Sequence, residues 1–248
     1  MNLTSELSEN EMMLNALHAL EASICSSTAN FLSLSTRELY AGGARWLEEF
    51  IMRPQAGLGR RGAVCPFARP SHDSGALLFG VLDVGDFDFA HFISLVLRLP
   101  QVFFQQQRKF KTNSELLSLV TFVRGIAPGE EFRFIDLCHV CVKPIFMQKG
   151  LMLGEFHRDS QVQGIRAAEF RPMRSEIPAL VIRRIALHDR LFIDRDGTPD
   201  HVRAHELGCY LKAVGDRLTN EDRKRLEERL ASLLNVIAPA SSLEDVHQ

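Results

Sequence analysis

The sequence predicts an α/β or α+β fold: a mixed central sheet with helices packed on it, and helical extensions at both ends. Two observations predict it. Apolar runs of strand length, "ALLFGVLDV" (76–84), "LLSLVTFVRG" (116–125), "GLMLGEFH" (150–157) and "PALVIRRIAL" (178–187), alternate with stretches whose apolar residues recur every three or four positions. Both ends carry only the helical spacing, and strands interleaved with helices call for a layered fold. The order of the strands in the sheet is not written in the sequence.

Taken in order, residues 4–24 place Leu7, Met12, Leu14, Leu17, Leu20 and Ile24 on one stripe, the pattern of an amphipathic helix. "LSTREL" opens a second helix with Ser35 or Thr36 as N-cap and Glu38 in its first turn, running to about Met52 before Pro54. Gly42-Gly43 weakens that helix. Residues 55–75, "QAGLGRRGAVCPFARPSHDSG", have no period and read as a long loop, a length that marks function or disorder. "FDFAHFISLVLRL" (87–99) reads as a buried helix ended by Pro100. The segment 130–150 reads as a helix that Pro144 kinks or ends. Residues 198–218 and 219–237 form the helical tail, the second capped by Thr219. This divides the chain into an N-terminal helical segment (1–54), a core α/β domain (55–197) and a C-terminal helical segment (198–248), in one compact unit. The end helices cap the sheet or form a homodimer surface.

Composition bounds the function. At 46% hydrophobic and 24% charged residues the chain has the make-up of an ordinary soluble globular protein. A net charge of −2 gives no electrostatic case for nucleic acid or an anionic membrane. No apolar run approaches the ~20 residues of a membrane span. The polar, acidic start is unlike a secretory signal, so the five scattered cysteines read as reduced thiols in the cytoplasm. Phe is over-used, 17 residues against 2 Tyr and 1 Trp, which suits apolar walls that need no hydrogen-bond partner.

Four groups of residues could carry chemistry. In "VCPFARP" (64–70), Cys65 precedes a proline with Arg60, Arg61 and Arg69 nearby, and such charge makes a thiolate more available as nucleophile or iron ligand. The bland reading is a small cysteine packing a turn beside Phe67. "CHVC" (138–141) lacks a second ligand pair and reads as core packing. "HVRAHE" (201–206) puts His201 and His205 one turn apart without a catalytic glutamate between them, and reads as a solvated face. The fourth is the exit of the third apolar strand. From Arg158 to Arg195 there are eight arginines and no lysine. Arginine is the residue for planar, bidentate contact with carboxylates and phosphates. Asp159, Glu169, Glu176 and Asp189 are available as partners for some of these; the rest could gather an acid, either a substrate carboxylate or haem propionates. His157 would then be the iron ligand.

The pattern "VCPFARP", "KPIFMQKGLMLGEFH", "GIRAAEFRPMRSEIP" and "ALVIRR" resembles an uncharacterised family of bacterial domains linked to small-molecule biosynthesis, over roughly residues 60–195. More distantly, the layout is similar to the YqcI/YcgG family, whose members include haem-dependent enzymes that N-hydroxylate arginine or related guanidines. That resemblance implies His157 as haem ligand and Arg166 as the arginine that follows it. It implies Arg166, Arg171 and Arg174 as contacts for propionates or a substrate carboxylate, and Phe67 and Phe156 as pocket lining; Cys65 and Arg69 are the catalytic candidates that the arginine-bearing loop itself offers. The implied protein is a cytoplasmic haem-dependent oxidoreductase of natural product biosynthesis, N-oxygenating an amino acid or guanidino compound with an electron donor as partner. Two other readings stand beside it: a cofactor-free accessory protein that holds an acidic metabolite or partner, and a Cys65-dependent thiol enzyme.

Overall fold

The computed structural model describes residues 36–84, 88–110, 113–127 and 129–237. It is an α/β fold with a four-stranded mixed sheet and helices at both ends of the described chain. The predicted helix at 4–24 and the tail after 237 lie outside the described residues. The strands are β1 (Leu77–Asp83), β2 (Ser118–Arg124), β3 (Leu151–Phe156) and β4 (Ala179–Arg184), in the order β1-β2-β4-β3. β1 runs parallel to β2, Leu77 opposite Ser118; β4 runs antiparallel to β2, Phe122 opposite Ala179. A parallel pair needs a crossover rather than a hairpin, and here α3 (Phe89–Val96) and α4 (Leu99–Gln107) lie along it. Two compact units divide the described residues: one holds those from 36 to 142 with 153–184, the other 143–152 with 185–237.

In the first unit β2 is buried from Ser118 to Val123, which is why it reads as an unbroken apolar run. Under one face lies α1 (Thr36–Trp46), continued by a π-helical turn, Leu47–Ile51. The glycine pair that weakens α1 as an isolated helix explains how it packs. A Cβ on Gly43 would fall 1.9 Å from the Phe122 ring, and one on Gly42 2.9 Å from Ile177. The missing side chains let the helix approach the sheet, and tertiary packing outweighs the propensity cost of about 1 kcal/mol per glycine. Leu39, Leu47, Ile51, Val120, Phe122 and Ala179 form the buried core there.

Three expectations are corrected. The stretch 55–75 is not all loop: α2 (Ala68–Asp73) forms directly after Cys65-Pro66-Phe67. Pro100 does not end a helix but sits in the first turn of α4, where its missing N–H has no intrahelical partner to lose. Of the two outcomes read for Pro144, a kink or an end, the end is overturned: α5 (Cys138–Gln148) passes through it, after a π-helical turn at Phe132–Leu137.

The second unit has its own core. α6 (Asp200–Val214) and α7 (Asn220–Ile237) bury Leu207, Tyr210, Val214, Leu226 and Leu233. Thr219 caps α7 as expected, its Oγ1 accepting from the Asp222 amide at 3.1 Å and donating to the Asp222 carboxylate at 2.8 Å. Asp194, with a left-handed φ of 58°, gathers Arg203, Arg229 and Arg190. Burial pushes this carboxyl up, but hydrogen bonds from Arg229 and Arg203 outweigh burial and hold it below the usual carboxylate range.

Two outcomes follow from the packing. Gly43→Ala forces the Phe122 ring or the helix to move, and costs about 2 kcal/mol, or roughly 4–8 °C in Tm for a chain of this size; a melt of the variant against wild type reads it. Asp194→Asn retains a residue type that tolerates left-handed backbone and removes only the charge. It costs about 2–3 kcal/mol at neutral pH, less than a fully sealed ion pair because Arg229 and Arg190 reach solvent. Since the folded carboxyl titrates below its unfolded value, the gap between the two proteins is complete above the ordinary carboxylate range and closes as pH falls through the lowered value, which urea unfolding at pH 7 and in acid measures.

Candidate functional site

β3 ends in Glu155-Phe156-His157, and alternation sends neighbouring side chains to opposite faces. Phe156 goes under α1, meeting Trp46 edge-on at 5.0 Å between centroids. Cys65 and Ala68 pack in the same apolar cluster. His157 goes to the other face. The residue is 2% exposed, and Nε2 lies 3.0 Å from the Asp136 carboxylate. Nδ1 is buried with no hydrogen-bond partner. Two residues back, Glu155 faces His139, whose Nε2 lies 3.2 Å from its carboxylate and 3.1 Å from the Leu153 carbonyl.

The sequence explains both sides of this arrangement. Glu155 and His157, at i, i+2 on a strand, share a face; Asp136 and His139, at i, i+3 on a helical segment, share another. The strand thus offers a carboxylate and an imidazole, the helix an imidazole and a carboxylate, and each acid meets the other element's base. The backbone at the strand exit is tied down as well. His157 N–H donates to the Met173 carbonyl at 3.3 Å, and Ser175 N–H donates to the His157 carbonyl at 3.2 Å. The bridge between His157 and Arg174 sets these two residues side by side.

The predicted arginines divide. Arg174 donates through Nε to the Ser160 carbonyl at 3.3 Å, leaving its exposed guanidinium end free, while its own carbonyl accepts from the Trp46 indole at 3.1 Å. Arg171 turns back on its own loop, donating to the Ala168 and Phe170 carbonyls, with Nε buried and unpartnered. Arg158 pairs with Glu176 at 2.8 Å, as the structural reading of the arginine run expects. Arg166 is exposed on a turn packed against the 57–59 loop, where a Cβ on Gly59 would lie 2.7 Å from the Arg166 carbonyl. Arg69 is exposed. Phe67 lies under the Arg183 guanidinium, 4.5 Å from ring centroid to Cζ.

Cys65, Phe67 and Phe156 therefore share the α1 side of the sheet, and His157 does not join them. Within the second unit, His205 is engaged: Nε2 donates to the Pro144 carbonyl at 3.2 Å, while His201 stays exposed. The two histidines are not a common solvated face. In the CxxC pair Cys138 is buried and Cys141 exposed. No three His, Cys, Asp or Glu side chains among the described residues converge as a metal site, and no described helix is long and apolar enough to cross a membrane.

Asp136, His139 and Glu155 are the functional candidates that sequence reading did not single out. The signal was present, two acid–base couples at helical and strand spacing, but nothing local says that these two elements face each other.

The chain belongs to a family of domains of unknown function, DUF6875, whose model matches residues 41–225. No curated protein and no solved structure matches it.

Burial raises the Cys138 thiol to about 12, with the Cys141 charge adding to it. Burial is also the largest influence on Cys209, which is raised too. In folded protein at pH 8, iodoacetamide should label Cys141 at least tenfold faster than Cys138, as peptide mapping would show; comparable labelling would mean the helix opens readily.

Proposed function

We propose that His157 is the protein ligand of a haem, and that the chain is a cytoplasmic haem-dependent oxidoreductase of small-molecule biosynthesis. The observation that carries this is the buried Nδ1 of His157, left without a protein partner while Nε2 is held by a carboxylate. A histidine that ligates iron or zinc commonly donates its other ring nitrogen to a carboxylate in this way. A purely structural buried histidine would be expected to use both nitrogens.

The surroundings fit the group in part. Arg174, beside His157, has free guanidinium donors for a propionate or a substrate carboxylate, and Arg166 offers a second cation. Arg171, spent largely on backbone carbonyls, holds its loop instead. Cys65, Phe67 and Phe156 support the opposite side of the sheet rather than the ligand's side. Because His157 is sealed, anything binding Nδ1 must displace the atoms packed on it. A bound haem would supply dioxygen or peroxide activation. With peroxide, an amine or guanidine N–H becomes N–OH and one water is released; with dioxygen, two electrons and two protons are also needed, so an electron-donor partner is part of this reading.

A second reading rests on Arg61, Arg69 and Arg166, which meet no carboxylate among the described residues. They suit a cofactor-free protein that holds an acidic metabolite or an acidic partner surface. Absorption spectra separate the two. Protein made with added iron and a haem precursor should show a strong Soret band that shifts or vanishes in His157→Ala. A band unchanged in the variant would move the ligand elsewhere. No band from folded, haem-supplied wild type would leave the arginine-rich loops as an acid-binding surface.

A further inference from the structure

We infer that Asp136 is a positioning residue: its carboxylate keeps the ring proton of His157 on Nε2 and so presents the Nδ1 lone pair as the donor to the bound group. This rests on the reading of His157 as the ligating side chain, and it adds the device that orients it and fixes its tautomer.

The geometry leads there from two sides. An ionised carboxylate only accepts hydrogen bonds, so the 3.0 Å contact requires a proton on Nε2. In the neutral ring Nδ1 is then bare. The opposite tautomer carries two penalties, since it points a lone pair at the Asp136 carboxylate and buries an Nδ1–H that has no acceptor. A carboxylate on the other ring nitrogen also fixes the orientation of the ring, so the Nδ1 lone pair keeps one direction.

The fold shows why Asp136 can do this. It lies in the π-helical turn Phe132–Leu137 that runs into α5. Such a turn places an extra residue in the helical path and re-aims the side chains around it, and π turns recur at functional sites. The neighbouring His139–Glu155 contact, at 3.2 Å, fixes the same helix against the same strand. Sliding α5 along β3 would break both pairs, so the second contact holds the first in register.

The test reads the proton directly. Histidine-labelled full chain, without added haem, is examined by long-range nitrogen–proton correlation at a pH well above the ordinary imidazole range of about 6.5. His157→Gln removes one set of ring signals and assigns them. Wild type should show His157 as a single Nε2–H tautomer with a bare Nδ1. Asp136→Asn should lose that single-tautomer pattern while the His139 signals stay put, and Asp136→Glu should restore it at least in part. A wild-type ring protonated on Nδ1 overturns the inference, whether or not Asp136→Asn folds. So does an unchanged Nε2–H tautomer in folded Asp136→Asn. The haem reading fails separately: an Nε2–H ring in protein that takes up no haem sinks the cofactor and leaves the role of Asp136 intact.

Discussion

The constraint on which the structure depends is the burial of β2 on both faces. From Ser118 to Val123 no residue reaches solvent, so each side of the sheet needs a cover. On one side α1 comes close because Gly42 and Gly43 present no Cβ to Ile177 and Phe122. On β1, β2 and β4 alike, residues of one parity feed the core under α1. The rest, by the pleat alone, must be met from the other face.

That division decides the chemistry of β3. Its last residues would be an unremarkable sequence in a loop, but on a pleated strand Phe156 and His157 part company. Phe156 joins Trp46 and Cys65 in an apolar layer, and His157 meets a carboxylate. A cysteine-and-phenylalanine pocket around the histidine, which the motifs suggest when read as a line, is incompatible with that parity. What the fold assembles is a crossed set of two acid–base pairs between a strand and a helical segment with a π turn, flanked by Arg174.

The second unit works on different terms. Its centre is ordinary helix–helix burial around Leu207 and Tyr210, with Asp194 tying three arginines near the chain's return. Five of the eight arginines in the run from Arg158 to Arg195 are accounted for: Arg190 serves Asp194, Arg158 serves Glu176, Arg171 holds its own loop, Arg183 lies over Phe67, and Arg184 meets Gln107 and Phe104. Of the arginines left with free donors, Arg166 and Arg174 are in the first unit's loops and Arg195 is exposed in the second unit.

By itself the sequence determined the elements. Apolar runs of strand length and the 3.6 period place four strands and the helices around them, because burial on both faces of a strand or on one face of a helix imposes those patterns on apolar residues. The Thr219 cap and the lone strand histidine are legible for the same local reason. Only the tertiary structure decided what the glycine pair is for, that Pro100 begins a helix and Pro144 rides inside one, and that His157 has Asp136 as its partner. Those are contacts between residues far apart in the chain: Gly43 with Phe122, Asp136 with His157. Local propensity carries no information about which face meets which, and a one-residue change of parity or one extra residue in a π turn is enough to choose between them.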